Sequence, residues 1–222
     1  MLLLDASAPV LHAGVIADGN WVCLEKERGD VITTLPAMVK KALQESGIPL
    51  TQIKSFVHCE GPGSLLGLRL CAMMMETWRA MPGTENARLF VYRSLQIAAA
   101  ILTEKGAGKF SVVTQFRRGG FCLCASDGTE REIVGEDGFD AENGDIFAIL
   151  QKNQHLLPPE MKIFDYDLAP LPGIMAGTPE LFRPSERAEA YSPKLSDYKL
   201  WDGKRHTAPK SGRLRAQTPR ND

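Results

Sequence analysis

The chain has 222 residues, 44% of them hydrophobic and 24% charged, with a formal net charge of −1 at pH 7. That composition excludes a disordered or fibrous chain, and no apolar run approaches the roughly 18 residues a membrane-spanning helix needs. The opening Met1-Leu2-Leu3-Leu4-Asp5 lacks the basic region and the length of a secretion signal, so the expected location is the cytoplasm.

Leu2–Asp5 reads as a short apolar strand. Two further runs, 12–17 and 21–25, flank Asp18-Gly19-Asn20, and Asp-Gly is a strong hairpin signal. Leu35, Met38, Val39, Ala42 and Leu43 recur at helical spacing and predict an amphipathic helix over 33–46. Thr33 or Thr34 would cap it, Pro36 would fall in its first turn, and Gly47 would end it. A strand over 53–59 is followed by Gly61-Pro62-Gly63-Ser64 and a helix over 64–81, then a strand over 88–92 and a helix over 94–105. The order β-β-β-α-β-α-β-α gives a mixed sheet with helices on its faces. It is the order of the ribonuclease H-like half-domain found in actin, sugar kinases and Hsp70.

The second half is less regular. Strands are expected at 111–115, 120–125 and 131–134, a short helix at 145–152, and strands at 162–166 and 173–176. These elements suit either a shortened second copy of the same order or a β-rich cap on the first. The division into domains is therefore 1–105 and 110–200, followed by a basic tail, 203–222. From Gly203 to Asn221 the tail holds six basic residues and no acidic ones, and it is poor in apolar residues, so it is expected to be disordered and to touch RNA weakly.

The five cysteines form no Cys-x-x-Cys pair, and the histidines (His12, His58, His155, His206) show no His-x-x-x-His spacing, so buried thiols are expected and a zinc site is not. Gly61-Pro62-Gly63-Ser64 sits between a strand and a helix, where backbone N–H groups can meet an anion or a close backbone neighbour. No Lys-Ser/Thr pair follows, so it is not a Walker loop.

Four stretches resemble the TsaB family of tRNA threonylcarbamoyladenosine biosynthesis proteins. They are Leu2-Leu3-Leu4-Asp5-Ala6-Ser7, Thr34-Leu35-Pro36-Ala37-Met38-Val39, Gly61-Pro62-Gly63-Ser64 through Gly67 and Arg69, and Val91 with Ser94-Leu95. The third is similar to the family signature Gly-Pro-Gly-Ser-Phe-Thr-Gly-x-Arg. The chain departs from the family pattern at Cys71, Met73, Met75 and Thr77, where small residues are usual. It departs again at Gln115-Phe116-Arg117, where the family has Asp-Ala-Arg, and at Pro193-Lys194-Leu195-Ser196, where an aromatic-Leu-Arg motif is expected. The resemblance implies a non-catalytic subunit of the complex that adds threonylcarbamoyl to N6 of the adenosine beside the anticodon. Its partners would be the catalytic paralogue TsaD and an ATPase of the TsaE type, with a homodimer when alone and ATP or ADP only at the complex interface.

The site residues divide into two groups. Asp5, Ser7, Gly61, Pro62, Gly63, Ser64 and Gly67 form the signature turn. Asp5 is either an exposed strand-end carboxylate or, in an enzyme of this fold, the acidic group near the metal. Apolar residues cover nearly the whole circumference of 64–81, so that helix is either buried within its own domain or packed on the sheet with one side and on a second chain with the other; on the second reading Leu35, Met38, Leu65, Leu68, Arg69, Met73 and Met75 are the expected partner surface. Gly177-Thr178 is the only candidate adenosine turn. The alternatives are a small ATP-dependent kinase of the same superfold, a metallopeptidase lacking its ligands, and an RNA-binding module acting through the tail.

Overall fold

A computed structural model describes residues 1–117, 120–134, 144–151 and 161–191 of the chain. Strands β1 (Leu2–Asp5), β2 (Val10–Ala17) and β3 (Asn20–Arg28) form the expected antiparallel meander. Asp18 and Gly19 both take positive φ, 49° and 74°, which is the type I′ turn whose twist suits a two-residue hairpin. Helix α1 (Val31–Ser46) starts earlier than the threonines suggest. Asp30 is the cap, its Oδ1 accepting from Ile32 N at 3.1 Å and Thr33 N at 3.2 Å. Pro36 therefore lies in the second turn, on an exposed flank, and Gly47 closes the helix with φ 66°.

Strand β4 (Ser55–Gly61) pairs in parallel with β1, and β5 (Arg88–Arg93) pairs in parallel with β4. Helix α2 (Leu65–Arg79) connects β4 to β5, and α3 (Ser94–Glu104) follows β5. One face of this sheet packs Leu2, Leu4, Val15 and Phe56 against Leu35, Met38, Cys71 and Met75 of α1 and α2. The other packs Leu3, Val57 and Tyr92 against α3.

The second half is another copy of the sheet. Strands β6 (Phe110–Arg117), β7 (Gly120–Ala125) and β8 (Glu130–Val134) form an antiparallel meander. Strands β9 (Asp145–Ile149) and β10 (Lys162–Ile163) add in parallel on its other side. The order β10-β9-β6-β7-β8 repeats β5-β4-β1-β2-β3. Helix α3 lies between the two sheets, which explains why Leu95, Ile97, Ala98, Ile101 and Leu102 are buried around most of its circumference.

Two predicted elements change type. The stretch expected as a helix from 145 is β9, because Asp145–Ile149 pairs with Phe110–Thr114 along its full length. The strand expected over 173–176 lies in helix α4 (Leu171–Gly177), whose second residue, Pro172, sits in the first turn where a helix accepts proline. The strand expected over 162–166 is regular only through Ile163.

The expected block 110–200 is not continuous in space. After α4 the chain makes a 3-10 turn (Pro179–Leu181) and returns to the first sheet as β11 (Arg183–Ser185), antiparallel to β5. Pro193-Lys194-Leu195-Ser196 and the tail 203–222 lie outside the described residues.

Candidate functional site

In an enzyme of this fold, substrate would enter between the two sheets, beside Asp5. Here Asp5 is fully buried. Its Oδ1 accepts from Ser7 N at 2.7 Å, and its Oδ2 accepts from Tyr92 OH at 2.6 Å and Tyr166 OH at 2.9 Å. Neither sequence expectation for Asp5 holds, because the carboxylate is neither at the surface nor open to a metal. Its oxygens are taken up by donors from the loop after β1, from β5 and from the segment after β10. Burial, and then the charge of Asp5, push both tyrosine hydroxyls well above their ordinary titration range, so they stay protonated donors.

Two histidines flank the strand. His12, opposite Asp5 on β2, and His58 on β4 are both buried. Burial holds both imidazoles below their ordinary range. His58 Nδ1 lies 2.9 Å from Cys59 O. The His12 ring meets the Tyr166 ring edge-on at a centroid distance of 6.1 Å.

The signature turn is built for close approach. A Cβ on Gly63 would collide with the Ser7 carbonyl oxygen, and one on Gly67 with the Ala6 carbonyl oxygen. Ser64 N donates to Ser7 O at 2.9 Å, while Ser64 Oγ accepts from Gly67 N at 3.4 Å. Ser94 Oγ donates to Pro62 O at 2.5 Å. Two N–H groups of the turn, those of Ser64 and Gly67, are thus engaged within the chain, and the glycines let the start of α2 rest on the loop after β1. Gln151, at the end of β9, donates from Nε2 to Ser7 O at 3.0 Å and Thr114 Oγ1 at 2.9 Å, which links the second sheet to the same loop.

A second tie joins the sheets at Arg93. Its Nε and one terminal nitrogen donate to Glu130 Oε2 at 3.0 and 2.5 Å, and its guanidinium lies 4.3 Å from the Tyr191 ring centroid. Burial works against this cation, but the Glu130 bond and the charges of Glu130 and Glu60 outweigh it and raise its titration point. Tyr191 OH donates to Glu132, and Arg183 donates to Glu60 at 2.5 Å. Among the described residues, no group of three His, Cys, Asp or Glu side chains is placed to hold a metal ion. Gly177 is the last residue of α4, and Thr178 Oγ1 donates to Ile174 O at 2.9 Å.

The expected partner residues separate into two sets. Leu35, Met38, Leu68 and Met75 are at most 2% exposed and belong to the chain's own core, which corrects their placement on a partner surface. The physical reason is that α1 turns Leu35 and Met38, and α2 turns Leu68 and Met75, toward the sheet. Leu65, Arg69 and Met73 are exposed. The sequence reading missed Ile32 (57% exposed) and Leu66 (55% exposed). Leu66, Leu70 and Met73 fall at i, i+4 and i+7, so helical spacing relative to Leu68 carried the signal for Leu66. Nothing local marked Tyr92, Arg93, Glu130, Tyr166 or Tyr191, whose roles arise from distant contacts.

The same architecture occurs in known structures. YeaZ from Pseudomonas aeruginosa superposes with a TM-score of 0.59 at 18% identity, over 86% of this chain and 98% of that one. A second structure, of an uncharacterized protein with similarity to the peptidase YeaZ from Pseudomonas aeruginosa, gives 0.58 at 18% identity, over 86% and 97%. The chain has the fold of YeaZ. YeaZ is the bacterial name for TsaB, so the resemblance in the signature turn and the tertiary structure point the same way. No family model matches the sequence, and a search of curated proteins finds no match. In this chain the fold of YeaZ occurs with its central carboxylate, Asp5, enclosed. Among the described residues, no helix is long and apolar enough to cross a membrane.

Proposed function

We propose that the chain is a non-catalytic subunit that binds a TsaD-type catalytic paralogue and supports transfer of threonylcarbamoyl to N6 of the adenosine beside the anticodon. The observation that carries this reading is the outer face of α2, where Leu65, Leu66 and Met73 lie exposed on one helix, while the other exposed large apolar side chains among the described residues, Val22, Ile32, Met81 and Ile163, lie on separate elements or just past its end. Methionine suits a surface that adapts to a partner. The enclosed Asp5 fits the same reading, because phosphoryl transfer needs a carboxylate free to position Mg²⁺. In this reading the TsaE-type ATPase joins the assembly through TsaD, nucleotide binds only at the complex interface, and the complex works in the cytoplasm.

Co-expression with the TsaD-type protein of the same organism tests the proposal. Leu66→Glu is the variant to use, since Leu68→Glu would bury a charge and unfold the chain. A stable complex that the Leu66→Glu chain fails to form supports the reading. Absence of the wild-type complex, with Mg·ATP bound by the isolated chain, replaces it with the kinase reading. Removing residues 203–222 tests the tail separately, because loss of RNA affinity and of its salt dependence would assign the tail to tRNA.

A further inference from the structure

The segment that follows the 3-10 turn is rooted at one end and held by side chains at the other. Phe182 is buried against Tyr92, with ring centroids 5.6 Å apart, and β11 follows it along the edge of β5. The chain then bends, where Ser185 Oγ donates to Arg187 O at 2.8 Å. It passes α2, where Arg79 donates to Glu186 O at 2.7 Å and Ala188 N donates to Glu76 at 2.6 Å. Tyr191 reaches the signature turn. Its N–H donates to Glu60 O at 2.5 Å, and a Cβ on Gly61 would lie 2.9 Å from the Tyr191 Cβ. From there its ring covers the Arg93 guanidinium and its hydroxyl crosses to Glu132 of the second sheet. The buried Cys122 thiol of β7, the register partner of Glu132, lies in hydrogen-bond contact with Tyr191.

We propose that residues 182–191 are a releasable strap, with Tyr191 as its latch, that gates the mouth of the cleft above Cys122 while the Asp5 side stays fastened. The two sides of the cleft differ in kind. Asp5, Tyr92 and Tyr166 are buried, so parting them strands a carboxylate away from water. Within 183–191 only Ala188 is buried, and water replaces the bonds that opening breaks. Closure also holds Glu130 Oε1 buried without a hydrogen-bond partner. Such an oxygen is costly, and admitting water to it offsets part of the contacts that opening gives up. Segments with few buried apolar contacts are the ones that open below global unfolding. The buried Phe182 keeps the strap rooted while its latch end moves. The strap goes beyond the partner reading above and does not depend on it.

Cys122 is a built-in reporter of the latch. Burial pushes its thiol up to about 11, so a closed Cys122 reacts slowly. The full chain is treated with N-ethylmaleimide, and the rate at each cysteine is read by mass spectrometry of its peptide. Two variants release the strap without uncovering the thiol. Tyr191→Phe keeps the ring over Arg93 and loses only the bond to Glu132. Arg183→Ala frees the strap from Glu60 at its β11 end and leaves the ring in place. Cys122 should react about tenfold faster in Tyr191→Phe than in the wild type. The factor should be smaller in Arg183→Ala, because that ion pair is more exposed. Cys59 and Cys71, sealed in the core, should keep their wild-type rates in both. An unchanged Cys122 rate in Tyr191→Phe overturns the proposal. A rise in Tyr191→Phe with none in Arg183→Ala overturns the strap and leaves a contact of one side chain. Cys122 rising in step with Cys59 and Cys71 also overturns it, because the whole fold is then what opens.

Discussion

The cleft and the outer face of α2 invert the usual distribution of polar and apolar groups. Between the sheets, Asp5, His12, Tyr92 and Tyr166 are buried and, apart from His12, hydrogen-bonded to one another, while on the outside Leu65, Leu66 and Met73 meet water. In an enzyme of this architecture the cleft would hold open polar groups and the helices would show a polar exterior. Here the exposed apolar side chains lie on the outer face of α2, and the buried groups of the cleft fasten the two halves to each other. The Asp5 hydroxyl pair fastens one part of it, and the Arg93–Glu130 pair with the Tyr191 ring fastens another.

The comparison can be broken from either side. The largest effect is expected at the junction of the two regions, where the start of α2 rests on the loop after β1. Gly67→Ala would drive a methyl group into the Ala6 carbonyl and should cost about 3 kcal/mol. Urea unfolding measures it, and a cost below about 1 kcal/mol would mean that the glycine is not there for close approach.

Tyr166→Phe comes next. It removes one donor from the buried Asp5 carboxylate and should cost roughly 1.5–3 kcal/mol. A neutral result would show that the cleft is merely filled and not fastened. Binding of Mg·ATP gained by this variant would show that the tyrosine is what closes the site to nucleotide.

The buried histidines set a smaller, pH-dependent effect. Their folded titration points are lowered by burial, so between those values and about 6.5 the unfolded chain binds more protons than the folded one. Stability therefore rises with pH in that window and is lost as the pH falls through about 6.5. The slope is at most about 1.4 kcal/mol per pH unit for each histidine. Urea midpoints at about pH 7.5 and 5.5 check this, and a flat profile contradicts neutral burial of His12 and His58.

The smallest effect on stability is expected for Leu66→Glu, within about 0.5 kcal/mol, because the side chain is already in water. Thermal melting beside the co-purification assay sharpens the contrast. A variant that melts like the wild type yet loses the partner places function on the outer face. A variant that melts much lower would show that Leu66 belongs to the core.

Much of the first half was legible from local chemistry. The positive φ demanded at Asp18-Gly19 fixed the hairpin, Gly47 fixed the end of α1, and apolar spacing fixed the helices. The signature glycines were recognisable as special, though not as seats for the Ala6 and Ser7 carbonyls. The second half was harder because its elements are short. Asp145–Ile149 has the composition of a helix turn or a strand, and only pairing with β6 decides for the strand. Likewise Asp30 displaced the threonines as the α1 cap through geometry that both choices would have allowed in sequence.

The sequence by itself determined the order of the elements in the first half, the turn at Asp18-Gly19, the end of α1 at Gly47, and the presence of an excess of apolar residues on α2. These depend on φ preferences and periodicities that act within a few residues. Only the tertiary structure decided which of those apolar residues face out. It also decided that Asp5 would be enclosed by hydroxyls 87 and 161 residues away, and that the chain would return from the second sheet to form β11. Contacts at that separation are set by how whole sheets pack on α3, which no local pattern in the chain encodes.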